Sequence, residues 1–326
     1  MRALQFREFG DPSKLSLVEL PDPRADATRA IVRIVAASVN PSDVKNVAGQ
    51  MEGTVLPRVP GRDFAGVVED GPSAWIGAEV WGTGGEIGFS ADGTHAERIA
   101  WPVAALVRKP RNLAAAPASA VGVTFVIAWL GAVTYADARA GETIAVVGAG
   151  GGVGGAVIQI AKARGCRVIG VDRAPPPPES PAAALIDAFV GTSDFATDVR
   201  RLTGGRGAEV VFDAVGGVMF EPSLAALGHR GRLVEISGTG KRRVAFDVVD
   251  FYHNEGRIFG ADSRKLDALA SAKLLSDLVP GFESGQYRAP IVAETYPLAD
   301  GVTAYGSVSR GTRGRVVLEM NARVVA

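Results

Sequence analysis

The chain has 326 residues, of which 47% are hydrophobic and 21% charged, and its 35 Lys and Arg residues balance 35 Asp and Glu residues. This length predicts two domains with packed cores. The neutral charge balance argues against a protein that binds nucleic acid or a membrane surface. The single cysteine, Cys166, excludes an intrachain disulfide and a cysteine-based zinc site. The N-terminus has no apolar signal core and no stretch has the length of a transmembrane helix, so we predict a cytoplasmic protein.

The first part of the chain, residues 1–121, is predicted to form a small, mostly β domain. Residues 30–37 and 64–69 have the composition of strands, and glycine- and proline-rich turns follow at 70–72 and 82–85. β character returns near the C-terminus, at 291–296 and 315–319. We therefore expect a segment of about residues 285–326 to complete the first domain.

The composition changes after Gly141, where strands and helices begin to alternate. Strands are predicted at 143–147, 167–172, 209–213 and 232–237, and helices at 156–164, 194–202, 222–227 and 265–282. Such alternation is typical of a doubly wound parallel sheet, which we assign to residues 122–284. The four prolines at 175–178 exclude helix or central strand and predict an exposed loop.

A glycine-rich turn joins the strand at 143–147 to the next helix, and it is the strongest chemical motif of the chain. Its glycines fit the G-x-G-x-x-G pattern in one register as Gly150/Gly152/Gly155, and in another as Ala149/Gly151/Gly154 with alanine first. The sequence allows both registers. Such a turn lets a pyrophosphate approach the backbone N–H groups at a helix N-terminus, although a glycine turn with only a structural role is the alternative.

Asp172 ends the next predicted strand, 18 residues after Gly154, where an acid is expected to bind the adenosine ribose. Its carboxylate would repel the 2′-phosphate of NADP, which favours NADH. Arg173 follows directly and could pair with that phosphate, unless the two side chains are simply solvated. We predict an NAD(P)H cofactor, with a preference for NADH.

Several further segments resemble the quinone-oxidoreductase branch of the medium-chain dehydrogenase/reductase superfamily. The resemblance covers nearly the whole chain, and the proline run at 175–178 departs from it. The segments that carry it lie at 38–43, 60–68, 121–124, 138–143, 148–155, 202–207 and 211–217.

The resemblance implies a GroES-like catalytic domain followed by a Rossmann domain, with the active site in the cleft between them. It also implies a homodimer formed through a Rossmann edge strand, for which residues 257–261 are the candidate, although they could equally form an interior strand. Thr124 could instead cap a helix, and Gly216 could belong only to a turn. The cofactor-binding residues expected from the glycine motif, the acid and the resemblance are Thr124, Gly150, Gly151, Gly152, Val153, Gly154, Asp172, Arg173, Ala214, Val215, Gly216, Ile236, Ser237 and Gly238.

The zinc enzymes of this superfamily bind their catalytic metal near the positions of Asn40 and Gly61, through a cysteine and a Gly-His-Glu motif. Here those positions hold Asn40-Pro41 and Gly61-Arg62-Asp63. The histidines, at 95, 229 and 253, are scattered and lack metal-ligand spacing. We interpret His95 as a structural histidine at the surface or in the wall of a cleft. We therefore predict a zinc-free protein.

Without a Lewis acid, hydride transfer to a quinone or an α,β-unsaturated carbonyl is less demanding than alcohol oxidation, because charge spreads onto a conjugated oxygen. Asn40, Arg62 and Tyr252 are the candidate catalytic donors to that oxygen. Each has a structural alternative: Asn40 could hold a loop, Arg62 could pair with an acid and Tyr252 could pack at an interface. Asp43 is expected to cap a short helix. An enoyl-thioester reductase and a non-catalytic nucleotide-binding redox sensor or structural protein stay open as alternatives.

Overall fold

A computed structural model describes residues 1–320 of the chain. The chain folds into two compact units, which we call the catalytic-type unit (Met1–Val126 with the chain from Ser263 onward) and the nucleotide-type unit (Ile127–Asp262).

The described residues form strands and helices that are numbered here in chain order. The strands are β1 (Arg2–Phe6), β2 (Leu15–Glu19), β3 (Arg29–Val39), β4 (Phe64–Asp70), β5 (Glu79–Gly82), β6 (Arg98–Pro102), β7 (Val107–Arg108), β8 (Thr143–Val147), β9 (Arg167–Val171), β10 (Ala188–Val190), β11 (Ala208–Asp213), β12 (Leu227–Glu235), β13 (Arg257–Gly260), β14 (Val292–Pro297) and β15 (Arg315–Glu319). The α-helices are α1 (Pro41–Val47), α2 (Ala115–Ser119), α3 (Gly122–Trp129), α4 (Gly152–Ala163), α5 (Phe195–Leu202), α6 (Phe220–Ala225), α7 (Val248–His253), α8 (Ala268–Glu283) and α9 (Gly301–Arg310). No helix among the described residues is long and apolar enough to cross a membrane.

The catalytic-type unit is built on a seven-stranded sheet with the order β14-β15-β3-β4-β5-β7, and β6 also pairs with β3. β1 and β2 form a separate antiparallel pair. β15 lies antiparallel to β3, in the register Val316 opposite Val39. The C-terminal β segments therefore return to the sheet of the first part of the chain, as their composition indicated.

The nucleotide-type unit contains a six-stranded parallel sheet with the order β10-β9-β8-β11-β12-β13. All five residues of β8 are buried, which explains their continuous apolar sequence, since a central parallel strand is covered on both faces. The direction in which strands are added reverses at β8. β9 and β10 lie on one side of it, and β11, β12 and β13 lie on the other. This is the predicted doubly wound α/β fold, joined in one chain to a mostly β unit.

α8 belongs to the catalytic-type unit, whereas the strand–helix alternation of the sequence predicts residues 265–282 as part of the second domain. The helix begins at Ala268 because the Asp267 side chain accepts a hydrogen bond from the Ala270 N–H at 2.8 Å. Near its end, the Phe282 ring packs edge-on against Trp81, with ring centroids 5.7 Å apart. This aromatic contact and the packing of α8 on β5 and β7 tie the helix to the first sheet.

The proline run forms neither helix nor strand, as predicted. Pro175 and Pro178 are exposed, but Pro176 is buried, so the loop is not exposed throughout. β13 is an edge strand of the six-stranded sheet, which is the position expected for residues 257–261.

Candidate functional site

The glycine-rich turn after β8 has one position at which a side chain cannot be accommodated. A Cβ atom on Gly154 would lie 2.8 Å from the carbonyl carbon of Gly148, closer still to its oxygen, and 3.0 Å from the Cα of Ala149. A Cβ atom on Gly155 would meet nothing nearer than 3.7 Å. The third glycine of the dinucleotide pattern is the one that permits close packing of helix and strand. The geometry therefore selects the register Ala149/Gly151/Gly154.

The N-terminus of α4 follows directly from this turn. Gly151 occupies the capping position in an extended conformation, and the helix begins at Gly152. The N–H groups of Gly152, Val153 and Gly154 belong to the first helical turn, so they have no acceptor within the helix. Together with the helix dipole, they make this end of α4 suited to binding a pyrophosphate.

Asp172 follows β9, the strand next to β8, and its carboxylate lies against the glycine turn. One carboxylate oxygen accepts a hydrogen bond from the Gly150 N–H at 2.9 Å, and the other accepts one from the Arg173 N–H at 2.7 Å. Arg173 itself is exposed. An acid at the end of the second strand of a dinucleotide-binding sheet is placed to accept hydrogen bonds from ribose hydroxyls.

The loops after β11 and β12 lie side by side. Gly216 has a φ of 61°, and the position of its missing side chain is filled by the backbone of Ser237, whose carbonyl carbon would lie 2.6 Å from a Cβ. Gly216 also forms an isolated β-bridge with Gly238. Because the strands are parallel, the glycine turn, Asp172, Ala214–Gly216 and Ile236–Gly238 all lie at the carboxyl edge of the sheet. The structure thus brings together the predicted cofactor residues that the nucleotide-type unit contains.

Thr124 lies in the other unit, within α3. Its hydroxyl is buried and donates to the Val121 carbonyl at 2.8 Å and the Ala120 carbonyl at 3.2 Å. The side chain therefore bonds to the segment between α2 and α3, and its predicted cofactor contact stays a prediction.

Asn40 lies in the catalytic-type unit, at the N-terminus of α1, inside a buried polar network. Its side-chain oxygen accepts from the Arg315 guanidinium at 2.5 Å, and its amide nitrogen donates to the Asp63 carboxylate at 3.0 Å. Arg315 also donates to the Ser38 hydroxyl at 2.9 Å. These partners orient the amide in one way only, since the reverse would place an N–H against the guanidinium. Asn40 therefore holds a loop, as its structural alternative proposed, and a catalytic role stays a prediction.

The second carboxylate oxygen of Asp63 points to α3. It accepts from the Val123 N–H at 2.9 Å, and a Cβ on Gly122 would collide with it. Asp63, which directly precedes β4, thus links this strand to both α1 and α3.

Two ionisable groups near this network have strongly shifted pKa values. Burial lowers the pKa of His95 to about 4, despite the opposing hydrogen bond with Ser38. Burial raises the pKa of Asp43 to about 7; its hydrogen bond from the Asn40 N–H opposes this, and the charge of Asp63 adds to it. The Nε2 atom of His95 lies 3.2 Å from the Ser38 carbonyl, which only accepts, so Nδ1 is the acceptor for the Tyr305 hydroxyl at 2.9 Å. His95 is a neutral, completely buried histidine, and not the surface or cleft-wall residue that the sequence indicated; its hydrogen bonds are structural.

The other two predicted donors have different surroundings. Arg62 is 2% exposed and donates to the Gly84 carbonyl at 3.1 Å and to the Ser263 hydroxyl at 3.2 Å. Tyr252 lies on α7 of the nucleotide-type unit and is 57% exposed. Their catalytic roles stay predictions.

A catalytic zinc does not fit the residues at Asn40 and Arg62. Within residues 1–320, no three His, Cys, Asp or Glu side chains are grouped so that they could hold a metal ion. The Asn40 oxygen, which would be the ligand atom, is already bonded to the guanidinium of Arg315.

Sequence reasoning missed the importance of three buried charged or acidic residues: Asp63, Asp213 and Arg315. Asp213 ends a buried strand of the parallel sheet, which is a recognisable position for a functional acid. Arg315 contacts Asn40 across 275 residues of chain, and no local pattern signals such a contact.

The fold and the glycine turn define a dinucleotide-binding protein of the two-domain dehydrogenase class, and comparison with known proteins identifies the family. Residues 26–111 match the alcohol dehydrogenase GroES-like domain, and residues 152–276 match the family described as zinc-binding dehydrogenase. A zinc-type alcohol dehydrogenase-like protein of Schizosaccharomyces pombe is 34% identical over 98% of this chain and 98% of its own. Human quinone oxidoreductase is 25% identical, over 98% of this chain and 97% of its own.

A crystal structure of an NAD-dependent alcohol dehydrogenase has a TM-score of 0.88 and 31% identity, and the match covers 98% of this chain and 99% of that one. The chain belongs to the medium-chain dehydrogenase/reductase superfamily of oxidoreductases and is quinone oxidoreductase-like, so the predicted resemblance is confirmed.

Proposed function

We propose that this protein is a zinc-independent, NAD(P)H-dependent reductase that transfers hydride to a quinone or an α,β-unsaturated carbonyl. The observation that carries the proposal is the packing of Gly154 against Gly148, which brings the N-terminus of α4 to the carboxyl edge of the sheet beside Asp172. When bound, a reduced nicotinamide cofactor supplies the hydride.

The cofactor would be held by residues of the nucleotide-type unit. The first-turn N–H groups of α4 are suited to the pyrophosphate, and Asp172 is suited to the adenosine ribose. Adenosine binds on the β9 side of the point where strand order reverses, so the nicotinamide half belongs with the loops after β11 and β12. Asp172 favours NADH, and the exposed Arg173 is available to pair with the 2′-phosphate of NADPH.

Zinc independence follows from the chemistry of the residues at Asn40 and Arg62. Amide and guanidinium groups donate hydrogen bonds but do not polarise a substrate as a Lewis acid does. A quinone or enone needs only such donors, because its negative charge is delocalised as hydride arrives, and water can supply the proton. We propose that Asn40, Arg62 and Tyr252 contribute these donors or position them.

The test is oxidation of NADH and NADPH, followed at 340 nm with 1,4-benzoquinone, cyclohex-2-enone and a crotonyl thioester as separate acceptors. Turnover with the first two is expected, and prior treatment with a strong chelator should leave it unchanged. Faster turnover of the thioester would favour an enoyl-thioester reductase. Nucleotide binding without turnover of any acceptor would contradict the proposal and favour a sensor or structural protein.

We further propose a homodimer formed through β13. This edge strand pairs only with β12 in the sheet of the described residues, and Ile258 on it is 37% exposed. An exposed apolar edge strand favours pairing with another chain. Size-exclusion chromatography with light scattering should give about twice the mass of the chain, and an Ile258→Lys variant should be a monomer. A monomeric parent protein would contradict the dimer.

A further inference from the structure

Two acidic side chains meet at the carboxyl edge of the parallel sheet, and neither has a role in the function proposed above. Asp213 ends β11 and Glu235 ends β12, and the two residues are direct neighbours in the strand register. Asp213 is completely buried. The Glu235 oxygen Oε1 is also buried and has no hydrogen-bond partner among the described residues. Two carboxyl groups this close are not both ionised without a large repulsion.

Asp213 is the member of the pair that carries the negative charge. One of its oxygens accepts from the N–H groups of Val215 at 2.9 Å and Gly216 at 2.7 Å, and the other accepts from the Ser223 hydroxyl at 2.9 Å. Three donors stabilise a carboxylate.

Glu235 is the member that holds a proton. Burial, followed by the charge of Asp213 and a hydrogen bond to it, raises the pKa of Glu235 to about 8. At neutral pH the pair therefore carries one negative charge and one proton.

The pair lies directly under the two loops expected at the nicotinamide half of the cofactor. The two N–H groups bound by Asp213 shape the turn at Val215 and Gly216. A Cβ on Gly216 would lie 3.0 Å from the Glu235 oxygen Oε2, so that oxygen lies against the same turn. A change in the charge of the pair therefore acts on both loops at once.

Among the described residues, Asp213 is the charged group that shifts the pKa of Glu235, and no nearby cation opposes that shift. Across the sheet, the register partner of Glu235 on β13 is Gly260, and that of Asp213 on β8 is Val147. Glu221 on α6 is exposed and forms an ion pair with Lys241 at 3.4 Å. Asp262, which follows β13, is exposed and acidic. Ionisation of Glu235 thus adds a repulsive charge beside Asp213.

We propose that protonated Glu235 is a positioning residue, which holds the loops after β11 and β12 in the form that binds the nicotinamide half of the cofactor. This inference rests on the proposed nucleotide binding. Loss of the proton pushes the two carboxylates apart, disturbs the turn at Gly216 and weakens binding of the anionic dinucleotide. Affinity is then constant below about pH 7 and falls at higher pH, by about tenfold between pH 7 and pH 9 for one proton with the pKa given above.

The experiment measures the Kd of NADH by fluorescence titration at half-unit steps from pH 6 to pH 9.5. Glu235→Gln keeps the size and the hydrogen-bond donor but does not titrate, and its Kd should change less than twofold over this range. Glu221→Gln removes an exposed carboxylate on the neighbouring helix and should keep the tenfold change of the parent protein. Equal pH profiles for the parent and Glu235→Gln would overturn the inference.

A second measurement needs no variant. Calorimetric titration of the parent protein with NADH at pH 8.5, in two buffers with different ionisation enthalpies, should show proton uptake on binding. Absence of proton uptake would overturn the inference while leaving the proposed function intact. Absence of NADH and NADPH binding at every pH would instead overturn the proposed function and the inference with it.

Discussion

Replacement of Gly154 by alanine tests the nucleotide-binding turn most sharply, because Gly155 next to it offers a matched control. The atoms nearest to a Cβ at Gly154 are backbone atoms of Gly148 and Ala149, which cannot rotate away as a side chain can. Separations under 3.0 Å are essentially never seen for a real Cβ, so α4 must move away from β8 by roughly 1 Å.

The size of the effect follows from the cost of overpacking, which is about 1–3 kcal/mol. The free Gly154→Ala protein relieves this strain by displacing the helix, and nucleotide binding requires the helix to return. We therefore expect the Kd of NADH to rise by roughly 5- to 150-fold. Gly155→Ala meets nothing nearer than 3.7 Å, and its Kd should change less than twofold. Alanine should also stabilise that helix by up to about 1 kcal/mol.

Fluorescence titration with NADH measures both constants, and circular dichroism melts verify that both variants are folded. Equal affinities of the two variants would refute the selected register and the role of α4 in binding. A larger loss for Gly155→Ala would indicate the register Gly150/Gly152/Gly155 instead.

Three further substitutions test the cofactor preference, the buried histidine and the buried polar network. Asp172→Ser should raise the affinity for NADPH relative to NADH by about tenfold, because it removes a carboxylate that repels the 2′-phosphate; titrations with both nucleotides measure it. His95→Gln should remove an acid-induced loss of stability of about 2.5 kcal/mol between pH 7 and pH 4.5, because the pKa of His95 is about 4 in the folded protein and ordinarily 6.5. The melting temperature, measured against pH, gives this loss. Arg315→Met should lower stability by about 3–5 kcal/mol, since it leaves buried Asp63 without its cation; denaturant unfolding measures it.

The sign of the His95 effect follows from proton binding. The unfolded chain binds more protons than the folded one between about pH 6.5 and pH 4, so the stability is present above this window and is lost as the pH falls through it. Asp43, with its pKa raised to about 7, acts in the opposite direction, but it does so in parent and variant alike. The difference between the two proteins therefore isolates His95. Identical acid profiles would show that folding does not lower the pKa of His95.

The other two predictions have their own controls. Arg313 is exposed two residues before Arg315, and Arg313→Met should change stability by less than about 0.5 kcal/mol. Similar losses for both arginine variants would contradict the buried network. For cofactor choice, Arg173→Ala should weaken NADPH binding only, and an unchanged NADPH-to-NADH ratio in Asp172→Ser would contradict the placement of Asp172 beside the ribose.

The sequence predicts the bounds of elements that have a continuous hydrophobic pattern. It misplaces the start of elements whose pattern is interrupted by glycine. The strand at 143–147 was predicted with its observed bounds because every residue in it is buried. The start of α4 was placed at 156 rather than Gly152, since glycines in its first turn carry no apolar signal. β12 begins at Leu227, five residues before its predicted start, because Gly228 and Gly231 break the alternation while the backbone still pairs with β11.

The candidate site was predictable where its residues lie close along the chain, as in the glycine turn with Asp172. It was not predictable where tertiary contacts decide the chemistry. The choice between Gly154 and Gly155 depends on a backbone distance, and the engagement of Asn40 depends on Arg315, which lies near the other end of the chain. The pairing of Asp213 with Glu235 depends on strand register, which the sequence alone leaves open.

Direct transfer of hydride from the nicotinamide to a conjugated acceptor defines the proposed reductase, and an isotope label follows that hydride into the product. The protein is incubated with cyclohex-2-enone and NADH that carries deuterium at C4, in the 4R form and the 4S form separately, and the cyclohexanone is analysed by mass spectrometry and NMR. We expect one deuterium at the β carbon of the product from one of the two forms only. Cyclohexanone without deuterium from either form, or no cyclohexanone from a protein that binds NADH, would contradict the proposed hydride transfer.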